Sequence, residues 1–317
     1  MEFAFELAIC SHLEETTDWL PGRQLGAAVE TPGRRIVDVC AVEPGPEFES
    51  RAAITERTIP PRAVESEVGP GEAVYWKDAF DCHPDVARRV TDRAVDAGFF
   101  EAERRRGRRY VRQATRYPDW IGRLVGIENK PDLGSPGDLQ RQLRIDVSLG
   151  LFDAVVLATE SYVTGAHLNR IPEAVGVWRF DPETGERTVV RDPTPLSVAS
   201  AGVEPVDFRS LRTDVTIVSA AAKARARRRL AERVYGSGWR PALPDCARLH
   251  PTGDGRPYCS ALDRVVDPGS DCGADCPHRD PTPAPEIDRD GIRAARTPWV
   301  ADPDGVARRQ AGLDRFP

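Results

Sequence analysis

The sequence predicts an α/β fold, on three observations. Residues 124–128 are an apolar run, 139–151 repeat apolar residues at helical spacing, and Ala154-Val155-Val156-Leu157-Ala158-Thr159 is apolar almost throughout. Strand, helix, strand in that order is a βαβ unit, and a strand with no polar alternation is buried on both faces. Residues 2–20 place Phe3, Leu7, Cys10 and Leu13 at helical spacing ahead of a β-branched stretch, Ile36-Val37-Asp38-Val39. Residues 174–180 and 187–191 flank Asp181-Pro182-Glu183-Thr184-Gly185, a turn sequence that joins two strands as a hairpin.

The remaining elements follow in order. A short helical stretch is expected over 21–31, closed by Pro32-Gly33, and then a strand over 34–42 that stops at Pro44-Gly45-Pro46. Residues 43–72 are rich in Pro and Glu and read as surface loop, and 73–80 as a short helix. Residues 84–97 are a strong helix, with Pro84 at its start and Gly98 just past its end. Strands at Phe99-Phe100 and Tyr110-Val111 then enclose a basic turn. Helix, strand, basic turn and strand resemble a winged helix, inserted over 60–116 into a core of 1–45 and 117–214. Asp138 is placed to cap the helix over 139–151. A short helix is expected over 162–170, loop over 192–214, and a long helix over 220–235 carrying Arg225, Arg227, Arg228, Arg229 and Arg233. That helix and a Cys-rich knob make up 215–280, and the Pro/Arg/Asp-rich tail, 281–317, is expected to be poorly ordered.

Composition narrows the function classes. The chain has 317 residues, of which 30% are charged and 7% aromatic, enough for a sizeable core and two or three modules. Its net charge is -6, yet the preference for Arg over Lys and the abundant Asp, Ala and Pro suit a GC-rich, salt-adapted source, where bulk acidity says little about partners. No apolar run approaches the roughly 20 residues that span a bilayer. The acidic start, with Glu2 and Glu6, is not a secretory signal, so a cytoplasmic chain without a membrane partner is expected. Only Lys77, Lys130 and Lys223 are lysines among 44 basic residues. A chain that uses Arg wherever plain charge serves retains Lys where a compact ammonium with an adjustable pKa is needed.

A polar set stands out on the apolar frame. The first helix carries Glu6, the strand after it Asp38, the next strand Glu128 with Lys130 beyond, and the following helix Gln140 and Gln142. Residues two apart on a strand face the same side, so Glu128 and Lys130 are expected to point together. With the strand of Asp38 beside them, its carboxylate joins the group. Neighbouring carboxylates repel unless a cation lies between them, and hard oxygen ligands suit Mg²⁺ or Mn²⁺. Such an ion lowers the pKa of bound water and neutralises charge on a scissile phosphate, while an ammonium orients the attack.

Through Asp38 after Arg34-Arg35-Ile36, Glu128-Asn129-Lys130, and the succeeding helix with Asp138 and Gln142, the sequence resembles the PD-(D/E)XK, or restriction-endonuclease-like, nuclease superfamily. The resemblance covers 1–45 and 120–180. It implies a mixed sheet flanked by helices and a divalent-metal phosphodiesterase site. Asp38 and Glu128 would be its metal ligands and Lys130 its catalytic lysine. Glu6 matches the helix-borne acid of some branches and Gln142 the glutamine of others. The whole chain also looks like an uncharacterised haloarchaeal protein family.

Two further groups imply partners. Residues 85–112 hold nine arginines against five acids, densest at Arg104, Arg105, Arg106, Arg108 and Arg109, the place where a wing touches DNA phosphate. Cys246, Cys259, Cys272 and Cys276 suit a structural Zn²⁺, with an iron–sulfur cluster as the rival and His250 and His278 as spare ligands. The expected function is Mg²⁺-dependent hydrolysis of DNA, in repair or defence. The alternative is a catalytically inactive DNA-binding protein or regulator built on the winged helix and the zinc knob.

Overall fold

The computed structural model describes residues 2–135 and 137–306. The chain divides into two compact units, one of Met1–Pro44 with Gly122–Pro298 and one of Gly45–Ile121 with Trp299–Pro317. The first unit opens with α1 (Glu2–Thr16), β1 (Leu20–Gly26) and β2 (Ile36–Pro44). The second supplies α2 (Phe48–Ala52), α3 (Pro61–Val64), β3 (Val74–Tyr75), α4 (Pro84–Asp96), β4 (Phe100–Arg105) and β5 (Arg108–Gln113). The first resumes with β6 (Ile121–Asn129), α5 (Leu139–Leu149), β7 (Ala154–Thr159), α6 (Gly165–Leu168), β8 (Gly176–Phe180), β9 (Arg187–Arg191), β10 (Gly202–Phe208), β11 (Thr213–Val218) and α7 (Ala220–Ser237). It ends with β12 (Leu249–Pro251), β13 (Pro257–Cys259), β14 (Arg264–Val265) and α8 (Arg289–Arg296).

The first unit is built on a six-stranded sheet of order β1-β2-β6-β7-β8-β9. It is mixed: β6, β7 and β8 run parallel, while β1 with β2 and β8 with β9 are antiparallel. Alternation along the strands sorts the two faces. Val39, Ala41, Val125, Ile127, Val156 and Ala158 pack with Phe5, Ile9 and Leu13 of α1 in one core. The intervening residues face the other way, where Arg227 of α7 lies near Cys40 and Asp146 of α5 is tied through Arg35 to Glu128. Helices thus cover both faces. The strand β7 is buried at every position, as its unbroken apolar run requires.

Several elements depart from expectation. Residues 21–31 do not form a helix. Leu20–Gly26 is a strand paired with β2 from Leu20↔Val42 to Gly26↔Ile36, and Pro21 and Gly22 are poor helix formers. Gly22 fits closely there, since a Cβ would stand 3.0 Å from the Val234 side chain of α7, which would have to give way. The expected loop over 192–214 contains β10, which with β11 forms a separate antiparallel ribbon. Pro205 lies beside a register shift, where a missing N–H is tolerated. Residues 73–80 hold the short strand β3 in place of a helix, and 43–72 contain α2 and α3. The inserted unit begins at Gly45 rather than 60. The tail carries α8, anchored by Arg293 on the carbonyls of Val234 and Tyr235; residues 307–317 lie outside the described residues.

In the second unit, α4 buries Ala87, Thr91 and Ala94 and ends two residues before Gly98, whose φ is +69°. Its three strands run in the order β3-β5-β4, all antiparallel, over a core that includes Ile54, Ile59, Phe99, Phe100 and Val111. Arg105 faces Arg108 across a two-residue turn in which Arg106 and Gly107 both have positive φ, the tight hairpin that matches strand twist.

Candidate functional site

The polar residues of the first unit meet at one end of the sheet. Gln24 falls between the pairs Arg23↔Val39 and Leu25↔Val37, so it stands opposite Asp38. Its φ is +51°, an uncommon backbone state for a side chain of this kind. From there its amide donates to Glu6 Oε2 at 2.8 Å and, more weakly, to Asp38 Oδ1 at 3.4 Å. Asp38 Oδ2 accepts from the backbone N–H of Asn129 at 2.9 Å. The Asn129 side chain donates to Glu6 at 3.1 Å, and its own Oδ1 is buried without a hydrogen-bond partner among the described residues. Arg23 closes the group with an ion pair to Glu6.

Glu128 lies on the same face as Asp38. Arg35 Nη2 donates to Glu128 Oε2 at 2.7 Å, and the same guanidinium holds both oxygens of Asp146, from α5. All three side chains are almost fully enclosed. Burial is the main force on the carboxyls. It pushes Glu6 up to about 7 and Glu128 up to about 8. Arg23 and Arg35 oppose this, while the nearby Asp38 adds to it. Asp38 is raised too, by burial first, with Glu2 contributing.

Lys130 engages a different partner from Glu128. The strand ends at Asn129, so the side-chain alternation expected for 128 and 130 does not extend to Lys130. Its ammonium pairs with Glu2 of α1 at 2.5 Å. Since Glu2 acts on Asp38, this pair borders the carboxyl group on the α1 side. Gln142 is half-buried on α5, one turn before Asp146, and makes no side-chain hydrogen bond among the described residues. Asp138 stands at the start of α5 without a capping side-chain bond. The structure therefore brings Glu6, Asp38 and Glu128 together and leaves Lys130 and Gln142 at the margin.

Sequence pattern alone does not single out five contributors: Arg23, Gln24, Arg35, Asn129 and Asp146. Arg35 and Asn129 sit inside the quoted motifs, beside Ile36 and between Glu128 and Lys130. Asp146 is one helical turn from Gln142, a spacing that signals a shared face.

The four cysteines of the knob come from distant positions to line one cavity of about 370 Å³. All are free thiols, and Cys246, Cys259 and Cys276 lie close enough to Cys272 to help raise its pKa, after burial. His250 and His278 are exposed and do not line it. Among the described residues, no three or more His, Cys, Asp or Glu side chains stand at the separation of a ligand set, in the knob or at the sheet end.

The match to a known family spans most of this architecture. The chain belongs to the family of unknown function DUF5787. The match covers residues 20–281, from β1 past the last knob cysteine. It includes Asp38, Glu128, Lys130 and all four knob cysteines, and leaves out Glu2 and Glu6. No curated protein and no solved structure matches the chain. Among the described residues, no helix is long and apolar enough to cross a membrane.

The basic turn of the second unit is open. Arg104, Arg105, Arg106 and Arg108 are exposed and Arg109 is half-buried against Asp92. Arg105 pairs with Glu103 and lies over the Tyr110 ring, and Arg108 lies over Tyr75. Arg104 and Arg106 form no ion pair among the described residues. In α7, by contrast, Arg227 binds Asp153 and the carbonyl of Leu151, so part of that basic run is structural.

Proposed function

We propose that this DUF5787 chain is a divalent-metal phosphodiesterase acting on DNA, with a restriction-endonuclease-like core. The observation that carries the reading is the convergence of Glu6, from a helix, and Glu128, from a neighbouring strand, on Asp38, beside an Asn129 that binds both Asp38 and Glu6 and whose buried Oδ1 has no partner among the described residues. The element order α1, β1, β2, β6, α5, β7 around a mixed sheet supports it. So does the chemistry of the donors: carboxylates are hard ligands that fit Mg²⁺ or Mn²⁺.

Asp38 and Glu128 would hold the ion, and Asn129 would steady Asp38 through its backbone N–H and Glu6 through its side chain. When bound, the ion would offset phosphate charge and supply a nucleophilic water at neutral pH. Arg35 holds the Glu128 carboxylate in place, Gln24 does the same for Glu6 and Asp38, and Lys130 at the rim supplies positive charge to an incoming phosphate. The arginine-rich hairpin of the second unit, read as a wing, provides sequence-independent phosphate contacts.

One observation favours the alternative, a catalytically silent DNA-binding protein. Arg35 already pairs with both Glu128 and Asp146, the position a cation would take. Incubating the full chain with linear and supercoiled DNA in Mg²⁺ or Mn²⁺ separates the two. The enzyme reading expects cleavage that is lost in Asp38→Ala and Glu128→Gln while DNA affinity persists. Binding without cleavage under any divalent ion selects the silent reading, and absence of both removes DNA as the partner.

A further inference from the structure

The segment 246–276 has too little apolar material to hold its own shape. Its strands span three, three and two residues. Its buried core is Leu249, Cys259 and Val266, with Cys246, Leu262 and Cys272 packed against it. A core this small leaves a loop-rich fold unstable unless disulfides or a metal staple it. All four cysteines are free, so no disulfide does so.

The thiols are arranged around a common space. Cys246 and Cys259 reach it from the segment before β12 and from the end of β13, and Cys272 and Cys276 from a single tight loop. Two of these positions are turns: Leu249 N–H donates to the Cys246 carbonyl, and Cys276 N–H to the Gly273 carbonyl. Turns at the ligating positions let side chains close in on one point. Among the described residues, the only carboxylate lining the cavity besides Asp245 is Asp271, and it is held by Arg264 and by the backbone N–H of Asp267. Asp245 accepts from the N–H of Ala284. The donors left facing the space are sulfur.

We propose that Cys246, Cys259, Cys272 and Cys276 form a closed structural Zn²⁺ site. Four soft thiolates in a tetrahedral set, with no open position, are the pattern of zinc that holds a fold rather than catalyses. Binding replaces four thiol protons by one Zn²⁺ and leaves the centre with net charge −2, half of which Arg279 at the cavity wall offsets. The ion draws in thiols that line the cavity without yet forming a ligand set. It thereby supplies the folding free energy that the small core lacks. The site is independent of the phosphodiesterase reading, since it is made of different residues and serves stability.

The test uses the full chain purified without chelator. Elemental analysis is expected to give one zinc per chain. Under native conditions a thiol reagent is expected to modify Cys82 alone, because Cys10 and Cys40 are buried and the four knob thiols are ligated. A zinc-scavenging chelator then releases the zinc and exposes four more thiols together. Cys82→Ser retains the zinc, and Cys272→Ser/Cys276→Ser loses it. Should that double variant fail to fold, exchange of Co²⁺ into the native chain decides, with the visible bands of tetrahedral thiolate coordination as the expected result. A chain that holds no zinc and takes up neither Zn²⁺ nor Co²⁺ overturns the proposal. So does one that carries iron with acid-labile sulfide, or that has its four cysteines paired as disulfides.

Discussion

Arg35 clasps Asp146 through two nitrogens, Nε to Oδ1 at 2.9 Å and Nη2 to Oδ2 at 2.5 Å, so the residue before β2 is locked to the middle of α5. The same Nη2 holds Glu128, and all three side chains are buried. Removing one member of such a group strands the others without compensation, at a cost of about 3–5 kcal/mol. Arg35→Met is therefore expected to lower unfolding free energy by that order in denaturant titration. Adding Asp146→Leu and Glu128→Gln to Arg35→Met is expected to recover most of the loss. If Arg35→Met alone is neutral, the clasp does not exist in solution.

The raised carboxyls set a pH dependence. Glu6, at about 7, and Glu128, at about 8, keep their protons in the folded chain where an unfolded carboxyl, at 4.5, has lost them. The folded state binds more protons in that window, so stability is greatest below it and falls as pH rises from about 4.5 to about 8, with no dependence on these two groups below about 4.5. In the phosphodiesterase reading a divalent ion would replace the protons. The melting-temperature gain on adding Mn²⁺ is expected to be large at pH 8 and small at pH 5. An equal gain at both pH values places the ion elsewhere.

Lys130 separates stability from activity. Its partner Glu2 is exposed, and a pair of that kind is worth about 0–1 kcal/mol. Lys130→Ala is thus expected to melt within a few degrees of the parent. In the phosphodiesterase reading it loses cleavage by about 100-fold or more, the usual effect of deleting one transition-state stabiliser. Retained cleavage in Lys130→Ala assigns the ammonium to the surface pair alone.

The basic hairpin predicts a salt signature. Each phosphate contact contributes about 0.9 to the slope of log K against log salt. Replacing Arg104, Arg106 and Arg108 together by Ala is expected to cut that slope by about 2–3 without changing the melting temperature, since none forms an ion pair among the described residues. An unchanged slope moves DNA binding away from this turn.

What was legible in the sequence was whatever pattern is local. The β6–α5–β7 unit shows because its period changes from strand to helix and back, and α4 shows because Pro84 and Gly98 punctuate it. β1 does not show, because Leu20–Gly26 has neither alternation nor β-branched residues and becomes a strand only by pairing with β2. The β10–β11 ribbon was hidden by Pro205 and by the prolines just ahead of it, Pro193 and Pro195. At the sheet end, Asp38, Glu128 and Glu6 were recognisable by residue type and element. Arg35 and Asp146 are 111 residues apart, and no local rule links them. Lys130 could be named but not aimed, because strand alternation says nothing once the strand has stopped.

The inserted unit enters after Pro44 and leaves before Gly122, and these two residues are neighbours: a Cβ on Gly122 would lie 2.9 Å from the Pro44 carbonyl oxygen. On the insert's own side, Gly45 N–H binds the Trp120 carbonyl at 2.7 Å. Entry and exit are thus spaced like the two ends of a hairpin. Evolution or an engineer can exchange everything between them for a short turn, or for another compact cargo with close termini, and leave the register of the central sheet intact.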